Sequence, residues 1–527
     1  MTFKKMNTFF ATLITVSVLG LTTSAPTYAQ GTSVQMAVQS LRGADAEIAA
    51  FYKANKFKPI FAGSNNNGRR KALLAALRSA SDHGLPEARY QTKELAEQLR
   101  SARRISGMGK AEISAARIFV RYANDLHTGV LAPSKVDSEI AMAKRRVSAV
   151  TLLKGASKGN LKNYLAGLAP QHSDYKLLLK EKQRLSKVRG SDVPNVPVKT
   201  IKPGQSNNNV VAMRRKLQAL GYGNLGNSKT YDAKLVVVVK EFQSDRKLGA
   251  DGIAGPATIR SMNLGPKTQL ARVIVNMERQ RWLNFVREKR HIFVNLPDFS
   301  VAIMDNGKQS FYSRTVIGKQ VKDRRSPEFI DTMTHMVINP TWHVPASIAG
   351  KEYLPIIRKD PGFLKRKNMA MLTSSGKSVN PANIDLTVFT ETNFPYLIKQ
   401  RPDPANALGL VKFMFPNKHN IYLHDTPSKS LFNREVRAFS HGCVRVHKPF
   451  DFAYELLSRQ SSNPKGLFHG FLKTRQEKYV NLKAPVQVII AYQTVIFDAK
   501  GKASYRGDIY GRDAKIAAAL KKAGVAI

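Results

Sequence analysis

The chain of 527 residues carries 84 Lys and Arg against 37 Asp and Glu, a formal charge of +47, with 43% hydrophobic residues and a single cysteine. Such a length exceeds one hydrophobic core, and the apolar content is ample for several globular domains. One cysteine leaves no partner for an internal disulfide, and a positive charge spread along the chain favours polyanionic partners.

In chain order, Lys4 and Lys5 precede an apolar run from Thr8 to Leu21, and Thr27-Tyr28-Ala29 supplies small residues around a cleavable bond. This pattern predicts a signal peptide over residues 1–29 and a mature chain starting near Gln30. The run is shorter than the ~18 to 20 residues that span a bilayer, and no later stretch is long and charge-free enough to do so. Export makes anionic envelope polymers or an anionic envelope surface the expected partners and argues against nucleic acid. For any single Lys or Arg, a solvated surface position is the competing reading.

Residues 30–188 read as a helical scaffold, with "RRKALLAALRSA" and "LAEQLRSARR" placing apolar residues three and four apart. Pro, Gly and polar residues over 189–202 read as a linker. Residues 203–264 begin a small module, in which Val236 to Val239 favour a strand by propensity. Leu235, Val238, Val239 and Phe242 nonetheless share one helical face behind Asp232, so the segment is predicted as a helix. A further amphipathic helix is expected within 265–288, rejoining the scaffold. From residue 289 to 527, β-branched and aromatic runs, with a hairpin turn at Asp305-Asn306-Gly307, predict a mainly β domain interrupted by an insertion at 346–406. The fold class is therefore multidomain α+β.

"FSHGCVRVHKPF", residues 439–450, holds the only thiol, Cys443. In an exported chain a lone cysteine is either a buried filler or a nucleophile kept reactive by its neighbours. "IYLHDTP" puts His424 at the end of an apolar strand, and His441 lies two residues before Cys443. Gly442 permits close backbone approach, and its N–H with that of Cys443 is a candidate oxyanion hole. His419, His424, His441, Cys443 and His447 also cluster closely enough to suggest zinc, although no Cys-x-x-Cys or His-Glu-x-x-His spacing accompanies them.

The order His424, spacer, Ser440-His441-Gly442-Cys443, apolar residue, Arg445 resembles the L,D-transpeptidase signature. "INPTWHVP", "DPGFLKRKNM", "SVNPANID", "FPYLIKQRPDPANALGLVKF" and "GDIYGRD" resemble the large Gram-negative-type subfamily with helical scaffold, peptidoglycan-binding module and substrate-capping insertion. Leu-x-x-Leu-Gly-Tyr and Asp-Gly-Ile-x-Gly-Pro-x-Thr carry the module's likeness to the three-helix peptidoglycan-binding domain, which a structural spacer would share. The resemblance implies a periplasmic acyltransferase with Cys443 as nucleophile, His424 as general base, and Ser440, His441 and Gly442 as supporting shell. It implies that Arg445 orders the loop or meets a substrate carboxylate, and that Trp342 and Tyr422 line the cleft, where both also suit a core. The expected substrates are peptidoglycan stem peptides joined in 3-3 cross-links through a cysteinyl thioester. Envelope proteins as acyl acceptors, trimming of tetrapeptides, and a catalytically inactive wall-binding protein are the alternatives. No metal or organic cofactor is required by that chemistry.

Overall fold

Apolar residues at helical spacing between Val34 and Leu185 do fold as helices. Thr92–Ser101 buries Leu95 and Leu99, and Ala149–Ser157 starts where the Ser148 side chain accepts the Thr151 N–H at 3.1 Å. The computed structural model describes residues 25–102, 105–187, 193–246, 248–285 and 287–527. The predicted signal peptide lies outside the described residues up to residue 24, and Ala25–Gln39 is the first described helix. No helix among the described residues is long and apolar enough to cross a membrane.

The helical stretch expected as one scaffold divides between two compact units. One comprises the described residues up to Arg78 with Tyr90–Ala123 and Val147–Ala166; the other comprises Ser79–Arg89, Asn124–Arg146 and Gly167–Ile527. The first is anchored by the buried Glu112 carboxylate, which accepts the N–H groups of Ile60 at 2.7 Å and Ala62 at 2.6 Å and the Tyr52 hydroxyl at 2.5 Å. In the second, helix Ser173–Lys187 lies along helix Pro266–Trp282. Arg281 of the latter donates to the Tyr175 hydroxyl at 3.2 Å and the His83 carbonyl at 2.9 Å. Buried Tyr175 and Leu178 thus face a partner far along the chain, the helix within 265–288 expected to rejoin the scaffold.

The module contains three helices, Asn208–Ala219, Ala233–Asp245 and Pro256–Met262. The four-valine segment is helical because Asp232 caps it, accepting the Leu235 N–H at 2.9 Å, and because Leu235, Val239 and Phe242 are fully buried together. The expected linker is not free over its second half. Asn263 clamps Val196 in both directions, at 2.9 and 2.7 Å, and Ile201 exchanges N–H···O bonds with Ala254, so both apolar side chains join the module core.

The β domain contains strands β1 (Arg290–Asn295), β2 (Ser300–Asp305), β3 (Lys308–Gly318) and β4 (Phe329–Ile338). After them come β5 (Trp342–His343), β6 (Met369–Leu372), β7 (Ser378–Val379) and β8 (Leu397–Gln400). The chain then returns through β9 (Val411–Met414), β10 (Leu423–His424), β11 (Ala438–Ser440), β12 (Val444–Val446) and β13 (Lys478–Ala491), ending in the hairpin β14 (Val495–Phe497) and β15 (Ala503–Tyr505). The main sheet runs β11-β3-β12-β10-β9-β4-β13-β1-β2, and a further β2–β3 pairing joins it into a ring. Alternation puts Val294, Val301, Met336, Phe413, Leu423 and Val444 in the core. Strands β5 to β8 form a separate small sheet with its own core of Trp342, Leu354, Ile357, Leu364, Met371 and Ile398. The predicted insertion at 346–406 falls within this region, and Trp342 belongs to its sheet.

Candidate active site

β10 and β12 are parallel, with Leu423 opposite Val444 and His424 opposite Arg445. Val444 donates its N–H to the Tyr422 carbonyl at 3.1 Å, so Tyr422 stands beside Cys443. Side chains alternate along a strand, hence burial of Leu423 and Val444 in the core turns Tyr422, His424, Cys443 and Arg445 to the opposite face. The sequence-predicted residues meet here through one short parallel pairing.

Cys443 is partly exposed. Its thiol points to the Asn420 carbonyl at 3.6 Å. The Tyr422 hydroxyl is a second hydrogen-bond partner, itself faced by the Trp342 side chain. Burial pushes the thiol up to about 11, with the Tyr422 contacts and the Arg445 charge pulling the other way. His424 is buried, and burial, reinforced by the Arg445 and Lys412 charges, lowers it to about 3. Its Nδ1 donates to the Asp425 carbonyl at 2.5 Å. The Leu408 carbonyl is a second backbone partner of the ring, so two main-chain oxygens hold the imidazole in place. The unliganded site is therefore a neutral thiol and a neutral imidazole on one sheet face, with the guanidinium of Arg445 beside both. The Arg445 Nε is buried and finds no hydrogen-bond partner among the described residues.

Ser440 and Gly442 shape the turn before the thiol. The buried Ser440 hydroxyl accepts the Gly442 N–H at 3.1 Å and donates to the Cys443 carbonyl. This corrects one expectation: the Gly442 N–H is engaged within the loop, so it does not stand free as an oxyanion donor. Gly442 holds φ 119°, and its carbonyl accepts the Ser326 hydroxyl at 2.6 Å. The His441 Nε2 lies 2.6 Å from the Glu352 carboxylate of the inserted region. Trp342 is 9% exposed and serves both the small-sheet core and the Tyr422 contact.

The five residues weighed as zinc ligands disperse: His419 lies against Phe329, His447 against Phe432, His441 against Glu352 and His424 against the Asp425 carbonyl. Among the described residues, no three His, Cys, Asp or Glu side chains converge as a metal site.

Several contributors escaped the sequence reading. Asn417 bonds the carbonyls of Phe415 and Ile421 at 2.6 and 2.7 Å and so shapes the loop presenting the Asn420 carbonyl. Asp425 accepts the Leu410 N–H at 3.0 Å and pairs with Lys429, fixing the strand end that holds His424. Behind Gly442, Ser326 is held by its hydroxyl's bond from the Gly318 N–H at 3.0 Å, while its own N–H points to the Tyr510 hydroxyl at 3.3 Å and its carbonyl accepts from Arg512 at 2.9 Å. Of these, only Tyr510 and Arg512 fall in a stretch that the sequence marks, "GDIYGRD", which carries part of the resemblance.

Residues 289–460 match the L,D-transpeptidase catalytic domain, residues 46–181 a scaffold domain, and residues 206–262 a domain described as "Putative peptidoglycan binding domain". The chain thus carries an L,D-transpeptidase catalytic domain together with scaffold and peptidoglycan-binding domains. A Haemophilus influenzae protein described as "Putative L,D-transpeptidase" is 33% identical over 232 residues, covering 43% of this chain and 45% of that protein, so the match spans less than half of either. A crystal structure of the L,D-transpeptidase from Xylanimonas cellulosilytica is 14% identical over 56% of this chain and 100% of its own, with a TM-score of 0.17. A fused Zn-dependent amidase/peptidase and peptidoglycan-binding protein from Clostridium acetobutylicum is 12% identical over 56% of this chain and 99% of its own, with a TM-score of 0.16. Neither structural likeness carries an argument about this fold.

Proposed function

We propose that this protein is an exported, periplasmic L,D-transpeptidase that forms 3-3 cross-links between peptidoglycan stem peptides through a thioester on Cys443. The observation that carries the reading is the parallel β10–β12 register, with Cys443, His424, Tyr422 and Arg445 on one sheet face. The matched catalytic domain supports the reaction class, and the peptidoglycan-binding domain supports the substrate.

In the first half-reaction the Cys443 sulfur attacks the carbonyl of the third stem residue. Because the thiol is raised and the imidazole lowered, the proton leaves sulfur for the His424 imidazole only as the carbon–sulfur bond forms. The carbon–nitrogen bond to the terminal D-alanine then breaks, and the amine leaves with the proton returned by His424. In the second half-reaction an amine of a neighbouring stem attacks the thioester, gives up its proton and restores the thiol. The Tyr422 hydroxyl supports negative charge on sulfur, and Arg445 offers its unpartnered Nε to a substrate carboxylate. Ser440 and Gly442 hold the turn, and His441 acts through its contact with Glu352.

The test is mass spectrometry of purified disaccharide-tetrapeptide incubated with the protein, read for cross-linked dimer, tripeptide and released D-alanine. Dimer formation that disappears in Cys443→Ala is the expected result. Unaltered D-alanine release by Cys443→Ala overturns the nucleophile, and binding without any acyl adduct leaves a wall-binding protein.

A further inference from the structure

The Glu352 carboxylate has no place in the reaction above, yet three separate segments meet at it. Its Oε1 lies 2.6 Å from His441 Nε2 and 2.5 Å from the Arg324 guanidinium. His441 belongs to the loop carrying Cys443. Arg324 belongs to the loop between β3 and β4, which also sends the Ser326 hydroxyl to the Gly442 carbonyl at 2.6 Å. Glu352 belongs to the turn Ala349–Tyr353 that opens the inserted region.

That turn is itself firmly seated. Ala349 is 2% exposed, and Leu354 and Ile357 behind it are buried in the small-sheet core. At Gly350 an added Cβ would come within 2.2 Å of the Glu391 carbonyl oxygen, so the turn is pressed against the far side of the insertion. Glu352 therefore ties this seated turn to the nucleophile loop through His441 and to the β3–β4 loop through Arg324, by contacts that are partly exposed and so breakable.

We infer that Glu352 is a positioning residue: bridging His441 and Arg324, it latches the inserted sheet onto the Cys443 loop and thereby limits access to the thiol and its thioester. His441 is a strut of this latch, which accounts for its pairing with Glu352. The consequence for product distribution rests on the acyl-transfer reading, whereas the consequence for thiol access does not.

The chain has one cysteine, so alkylation by iodoacetamide reports on Cys443 alone. Glu352→Gln keeps the shape but loses the charge, and Arg324→Gln removes the other pole. Each should raise the alkylation rate at fixed pH by roughly fivefold, the scale of losing one partly exposed charged contact. The double variant should alkylate no faster than either single one, because both act by opening the same latch. With disaccharide-tetrapeptide, each should raise the ratio of tripeptide to cross-linked dimer, as water reaches the thioester. If Glu352→Gln proves unfolded, Arg324→Gln and His441→Asn carry the comparison. Unchanged alkylation in folded variants, or single effects that multiply in the double variant, overturns the latch. Absence of any dimer from the unsubstituted protein overturns the acyl-transfer reading and leaves the alkylation result to decide the latch.

Discussion

Gly442 sits at φ 119°, where a Cβ would meet Ile421 Cδ1 at 3.0 Å in a backbone region that L-residues rarely occupy. Gly442→Ala should therefore cost about 1 to 3 kcal/mol of local strain and relax by moving the Ser440–Cys443 turn, cutting acylation at least tenfold while the fold persists. Burst release of D-alanine, with thermal unfolding as the control, measures it. The thiol gives a second prediction at this scale. With Cys443 raised to about 11 and His424 lowered to about 3, the alkylation rate should climb about tenfold per pH unit from pH 7 to 10, without a plateau in the neutral range. A rate already flat near neutrality would mean a standing thiolate–imidazolium pair. Cys443, His424 and Arg445 were legible in the sequence because their chemistry is rare and their spacing short. Glu352, Ser326 and Tyr510 were not, since an ordinary Glu, Ser or Tyr acquires its role only from contacts the chain makes over long separations.

At the level of elements, helix Ala233–Asp245 shows how patterning overrides propensity. Val237 is 65% exposed, whereas Leu235 and Val239 are fully buried. Leu235→Ala should destabilise the module by about 2 to 5 kcal/mol, whereas Val237→Ala should stay within about 0.5 kcal/mol or stabilise slightly through better helix propensity. Chemical unfolding of the two variants separates them, and equal losses would contradict the one-sided burial. The same accounting explains what was misread. Residues 193–202 look like a linker because Pro194 and Pro197 break any helical or strand period, yet Val196 and Ile201, two of their four apolar side chains, join the module core and pin the segment to it. Helix Ser173–Lys187, by contrast, meets the helix Pro266–Trp282 expected to rejoin the scaffold, although its ordinary amphipathic stripe does not itself name that partner.

Over the whole molecule, burial leaves several histidines neutral. His83 and His172 are lowered to about 4, by burial and by the Arg281 and Arg287 charges respectively, and His424 to about 3. An unfolded chain takes up these protons near pH 6.5 while the folded one refuses them, so stability is fully present above pH 6.5 and is lost as pH falls towards 4. The slope approaches about 1.4 kcal/mol per pH unit for each group, and urea midpoints measured between pH 7 and 4.5 should fall accordingly. A flat midpoint across that window would show that the three imidazoles are solvated. The final consequence concerns the order in which the chain is made. Tyr510 also donates to the Gly318 carbonyl at 2.7 Å, and Arg512 reaches Glu328 at 3.0 Å, so the Ser326 brace behind Gly442 is secured by residues well downstream of Cys443. A nascent chain that has emerged only as far as its thiol has the nucleophile without its brace. Synthesis itself thus imposes a delay: the cysteine is carried in an unset loop until the downstream segment arrives, and a protein cut between the two would keep its thiol yet lose the geometry that aims it.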